Sequence, residues 1–303
     1  TASEENIGKG RCNHIAHQKN DESVKDFCKR VEDNKINKIN NGDGNNKVDI
    51  KKIKNLKTDD KIKLIESEDV NDEIFDILVN DKNWDVRAAI AKHGRDKDLD
   101  ILVNDKDWFV REAVAKRGRD KDLDILVNDE DQNVRRAVVK HSRDKDLNIL
   151  VSDKDWEVRK DVANRGRDKD LNTLINDEDS DVRMSVAECG RDKDLDILVN
   201  DKYENVRAEV AKHGRYKDFN ILINDRDQNV RAAIAKHGRG KDLDILVNDK
   251  NKVVRNITVK NKNFKYDKRL VDNKGRLEMI KEGCSEKEMD FIRKGPKNKD
   301  IKL

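Results

Sequence analysis

Seven arginines stand 24 residues apart: Arg95, Arg119, Arg143, Arg167, Arg191, Arg215 and Arg239. With Lys92, Lys116, Lys140, Lys212 and Lys236 they form a line of cations of the kind that follows a phosphate backbone. Aspartates interleave throughout, however, whereas a nucleic-acid domain is strongly basic. The largest excess of basic charge lies in residues 256–303. Nucleic-acid binding, by the arginine ladder or the basic termini, is therefore the alternative reading and not the first. Near the start, Cys12, His14, His17 and Cys28 are all zinc-ligand types, but their spacing is not that of a standard finger, and no metal is assigned. Asn41, Asp43 and Asp49 suggest a calcium loop, yet its first ligand position would be Ile39; a Gly/Asn turn fits better. His93, His141, His213 and His237 share one repeat position. Neighbours about 10 Å apart cannot share a metal bound at about 2 Å, so these read as polar helix ends. No His, Cys or Ser of the repeats has a recurrent partner forming a nucleophile and base. The expectation is a protein without catalysis, cofactor or metal.

These residues are positioned by a repeat. The dipeptide Val-Arg recurs at Arg87, Arg111, Arg135, Arg159, Arg183, Arg207, Arg231 and Arg255, always 24 residues on. An aspartate precedes each arginine by six residues, from Asp81 to Asp249. Each unit reads as two helices. The first, at residues 96–104, carries Leu99, Leu102 and Val103 on one face and is short enough to be 3₁₀ or mixed. The second, at 108–117, carries Val110, Ala113 and Val114 inward. The acidic residues before it suit a cap, and Gly118 stands where a left-handed residue ends a helix. One unit has too few apolar side chains to offset the ordering of its backbone, so units must stack and lend each other surface.

The core pattern D-x-x-x-x-V-R-x-A-(V/I)-A resembles HEAT-type repeats. That resemblance implies an Asp–Arg hydrogen-bonded ladder between units. The 24-residue period followed by "DLDILVND" is more similar to the leucine-rich-repeat-variant family. This likeness covers residues 72–260 and implies an all-α, right-handed solenoid in which α- and 3₁₀-helices alternate. Family members often place proline or small residues between helices; here Arg-Asp-Lys-Asp takes that place.

Residues 1–56 are Asn- and Lys-rich and read as a polar, partly flexible region. Residues 57–260 are the solenoid, with 57–67 as a degenerate N-terminal cap holding Ile62 and Ile65. Residues 261–303 read as a helical cap, at 283–294, and a basic tail. No apolar run is long enough to span a membrane. Four scattered cysteines suggest no disulfide framework, and the default setting is reducing and cytoplasmic.

Columns that change while their neighbours stay fixed are free to meet a partner. The column of Trp84 reads Trp108, Gln132, Trp156, Ser180, Glu204, Gln228 and Lys252 in later units; that of Ala88 holds Glu112, Arg136, Lys160 and Met184. At 100° per residue, Trp84, Ala88 and Lys92 fall on one strip expected to be exposed. Tryptophan is either an interface anchor there or a cover over the next unit. The predicted partner-binding residues are Trp84, Trp108, Phe109, Glu112, Arg136, Trp156 and Lys160, and the predicted partner is a protein or peptide. The Ala89 column turns polar at Asp161, Ser185 and Glu209, where buried atoms would need partners.

Overall fold

The computed structural model describes residues 50–67 and 70–264. The Cys12, His14, His17 and Cys28 group, the 40–49 loop and the 283–294 segment lie outside these residues. The described residues form eighteen helices and no strand. The chain divides into two compact units between Ile149 and Leu150.

The first unit holds α1 (Ile50–Lys54), α2 (Thr58–Ile65) and the pairs α3 (Asp72–Leu78) with α4 (Trp84–His93), α5 (Asp96–Leu102) with α6 (Trp108–Ala115), and α7 (Asp120–Leu126) with α8 (Gln132–His141). Helix α9 (Asp144–Leu150) ends one residue past the division. The second unit holds α10 (Trp156–Asn164), α11 (Asp168–Leu174), α12 (Ser180–Glu188), α13 (Asp192–Leu198), α14 (Glu204–Lys212), α15 (Tyr216–Leu222), α16 (Gln228–His237), α17 (Lys241–Leu246) and α18 (Lys252–Lys260). The short first helix is α-helical, not 3₁₀. Its last turn closes through an α-type bond, Val103 N–H to Leu99 O, and the following turn tightens, with Asp105 N–H donating to Leu102 O.

Stacking runs through the long helices. In the first unit α4 packs on α6 and α6 on α8; in the second α10, α12, α14, α16 and α18 follow in line. Val86, Ile90 and Ala91 and most of their repeat equivalents are sealed from water, and Leu99 and Leu102 of the short helix close the other side.

Two arginine series hold the joints. Arg87 donates from Nε and Nη2 to the next repeat's Asp105 at 2.6 and 2.9 Å, and from Nη1 to its own repeat's Asp81 carbonyl at 2.8 Å. Arg111 does the same to Asp129, and in the second unit Arg159, Arg183, Arg207 and Arg231 reach Asp177, Asp201, Asp225 and Asp249. These pairs are buried, not the surface ion pairs that their charged types suggest, with Arg87 5% and Arg111 7% exposed. Burial works to raise the Asp105 carboxyl, but hydrogen bonds from Arg87 and the Asp107 amide hold it below the usual carboxylate range. The Arg87 guanidinium is raised by its bond to Asp105. In α2 the buried Lys61 plays the arginine's part, 4% exposed and 2.7 Å from Asp81.

The other series explains how Arg-Asp-Lys-Asp starts a helix without proline. The carboxylate of Asp98, 1% exposed, accepts from the backbone N–H, Nε and Nη2 of Arg95 at 2.8 to 2.9 Å. The negative side chain thus lies in the first turn, at the positive end of the helix.

The long helices are capped as their sequences predict: Asp107 accepts from Phe109 N–H at 3.0 Å and Asp131 from Asn133 N–H at 2.8 Å. Asp131→Ala is expected to lower stability by about 1 kcal/mol, measured as a shift in the denaturant midpoint at unchanged slope. At the other end, Gly118, Gly166, Gly190 and Gly214 have φ near +70° (+69 to +72°), as expected of Gly118. Gly94 and Gly238 differ: their helices run on to His93 and His237 and leave in an extended conformation. Beyond α6 and α18 a side chain reaches back to the previous long helix: Arg117 Nη1 donates to Ala91, Lys92 and Gly94 carbonyls at 3.3, 2.9 and 3.1 Å, and Asn261 Nδ2 to Ala235 and Lys236 carbonyls at 2.8 and 3.0 Å.

Candidate partner-binding surface

The first residue of each long helix lies just beyond its cap, so its side chain starts outside the core. In the first unit this places Trp84 and Trp108 on adjacent helices α4 and α6, each 40% exposed. The half-buried Phe109 ring lies 5.0 Å from Trp84 at 75° and 5.5 Å from Trp108 at 81°. Both contacts are edge-to-face, the arrangement that the ring quadrupoles favour. The two indoles are held by neighbours and still present two-fifths of their surface to water, so both sequence readings of the tryptophans apply in part.

Around them, the Glu112 side chain is 17% exposed and pairs with Lys116 at 2.7 Å. Arg136 sits half-buried on α8. Ala88 corrects the strip: it is buried at 2% while Trp84 and Lys92 are exposed. Glu112, Arg136, Ala208 and Ala232 of the same column are only partly buried, so the strip reaches solvent in some repeats and not in others. In the second unit Trp156 is 37% exposed, with Lys160 Nζ 5.8 Å from its ring centre.

Tyr203 is a further exposed ring that the column analysis did not single out. It occupies the cap position of α14, where Asp or Asn stands in the other long helices, and gives no side-chain cap bond. Its ring is 44% exposed, with Lys202 at 5.1 Å and Arg183 at 5.5 Å. Forfeiting a cap costs about 1 kcal/mol, so an aromatic there is not a choice made for helix stability. The signal was present as the one non-capping residue in its column. The polar column of α10, α12 and α14 divides: Asp161 is half-buried, Glu209 is 8% exposed and paired with Lys212, and Ser185 is fully buried with its hydroxyl unpartnered.

The cation ladder is not open to phosphate in the way its spacing suggests. Beside their aspartate of the same turn, Arg95 reaches Asp76 at 2.5 Å, Arg119 reaches Asp100 at 2.8 Å, and Arg215 reaches Asp196 at 2.9 Å. With Asp72, Asp96 and Asp192 also within 3.0 to 3.5 Å, each guanidinium is shared among three carboxylates, which removes most of its field. Among the described residues no group of three or more His, Cys, Asp or Glu is arranged to hold a metal, and no helix is long and apolar enough to cross a membrane.

No protein-family model and no curated protein matches the chain. Among solved structures it is similar to a leucine-rich repeat variant with a novel repetitive structural motif, at 27% identity and a TM-score of 0.55, over 71% of this chain and 87% of that one. A designed armadillo repeat protein in complex with the peptide (KR)4 aligns at 16% identity and a TM-score of 0.19, over 66% of this chain and 78% of that one, too loosely to bear on this molecule.

Proposed function

We propose, from the premise that this chain is a helical-repeat protein of the leucine-rich-repeat-variant type, that it is a non-catalytic scaffold which binds a protein or peptide through the exposed aromatic faces of its long helices. The observation that carries the reading is the three-ring cluster of Trp84, Phe109 and Trp108. It is preorganised by edge-to-face contacts and two-fifths open at both indoles, on columns that vary above a fixed core. Rigid aromatic rings of this kind anchor interfaces because they bury much surface at little entropic cost. Glu112 and Arg136 flank the cluster on the first unit, and Trp156 with Lys160 forms a separate contact point on the second.

The test is selection of peptides from a displayed random library, followed by titration. Trp84→Ala with Trp108→Ala is expected to weaken the selected peptide's Kd at least about 30-fold, since an anchor contributes about 2 kcal/mol. Both indoles lie outside the core, so helix content should be retained. An unchanged Kd overturns the assignment. Micromolar binding of duplex DNA or RNA that weakens steeply with salt would favour the nucleic-acid reading instead.

A further inference from the structure

A second surface differs from the aromatic one in a telling way. The short helices carry an isoleucine at one fixed position: half-buried Ile77, then Ile101 at 51%, Ile125 at 49% and Ile149 at 49% exposed in the first unit. The second unit has Ile197, Ile221 and Ile245 at 55, 53 and 52%, with Thr173 as the one exception to the column. The core does not need these side chains, because Leu99 and Leu102 of the same helix already seal it. Helix propensity does not ask for them, since a β-branched residue on a solvated face is inferior to Ala, Leu or Lys. An exposed apolar residue that stays the same while the Trp84 column changes freely is kept for something outside the unit.

The surroundings narrow the partner. The aspartates preceding Ile77, Ile101 and Ile125 are compensated by the next repeat: Asp76 with Lys97 at 2.9 Å, Asp100 with Lys121 at 2.5 Å, Asp124 with Lys145 at 2.5 Å; before Ile149 stands the uncharged Asn148. The stripe is apolar with a charge-balanced border, which attracts neither a polyanion nor an anionic membrane and lets two such borders meet without stranding a charge. Its rungs recur at the helix-stacking distance, about 10 Å. A partner that engages every rung must carry apolar groups at that same interval, and a second copy of this chain does.

We propose that the isoleucine stripe of the first unit is a self-association surface on which two copies pack antiparallel about a twofold axis between Ile101 and Ile125. Ile101 then meets the second copy's Ile125, and Ile77 the second copy's Ile149. The contact is isologous and closes at the dimer.

Sedimentation velocity of the full chain over a concentration series tests this. The wild-type chain is expected to pass from monomer to dimer, and Ile101→Lys with Ile125→Lys to remain monomeric with unchanged circular dichroism. Ile101→Thr with Ile125→Thr, which uses the side chain that the column itself accepts at Thr173, is expected to fold and to weaken association at least about tenfold. The wild-type dimer should persist in about 1 M salt, where the screening length is about 3 Å. A wild-type monomer throughout, or a dimer whose association constant is the same in the threonine variant, overturns the proposal.

Discussion

Replacing Arg111 with leucine is expected to lower the unfolding free energy by about 3–5 kcal/mol, as in other buried pairs that lose one partner. The variant leaves the Asp129 carboxylate, 6% exposed, without the two guanidinium bonds at 2.7 and 2.9 Å, and strips the Asp105 carbonyl of its donor at 2.7 Å. Leucine fills the volume, but it solvates neither oxygen. Because a domain is stable by only about 5–15 kcal/mol, the loss is a large part of the total. Denaturant unfolding measures it, and hydrogen exchange locates it, since stacked repeats can open locally at the weakened joint. The double variant Arg111→Leu with Asp129→Leu is expected to recover most of the loss. A cost below about 1 kcal/mol for the single variant would mean that the pair behaves like an exposed one.

The second large effect concerns two glycines of the second unit with nearly the same backbone and different neighbours. Gly190 and Gly214 have φ of +72° and +70°. An alanine at either is strained by about 1–2 kcal/mol in the left-handed region. At Gly190, a Cβ would also come within 2.7 Å of Cε1 and 2.9 Å of Nδ1 of His213, whereas at Gly214 it meets nothing within 4 Å. His213 is exposed, so its ring can turn aside at an off-rotamer cost of about 0.5–1.5 kcal/mol. Gly190→Ala should therefore destabilise by about 1.5–3.5 kcal/mol and Gly214→Ala by about 1–2, read from thermal and denaturant midpoints. Equal losses would show that the imidazole swings clear. Gly190→Ala in a His213→Ala background should fall back to the Gly214 value.

Most of the fold was legible because the repeat repeats its own evidence. Val86 and its equivalents mark the core, and Asp107 and Gly118 mark the ends of a helix before any coordinates are consulted. What spacing leaves open is the partner of each arginine. Arg87 lies six residues after Asp81 and 18 before Asp105, and both distances recur along the chain. The fold resolves it by giving Arg87 the carboxylate of the next repeat and the carbonyl of its own. Burial of these charges was not legible either, because a periodic charged residue reads as a solvated one until its pairing is known. The aromatic column was found because variation suggests exposure. The isoleucine stripe was missed for the converse reason: a fixed apolar residue reads as core, and only the solvent area of Ile101 separates the two. Gly94 and Gly238 show the limit of a single-residue rule. Whether the glycine turns left depends on how far the helix ran before it, and Ser142 stands at the equivalent place with an ordinary φ of −66°.

The joint between consecutive copies has an evolutionary corollary. Each arginine from Arg87 to Arg231 has an aspartate 18 positions ahead, whichever copy supplies it. A gene that loses or gains a whole 24-codon period by unequal crossing-over therefore severs one clasp and refastens it at once, with no hydrophobic surface misfitted and no charge orphaned. Chain length becomes heritable in steps, and related genes are expected to differ by entire periods while the clasp stays the same.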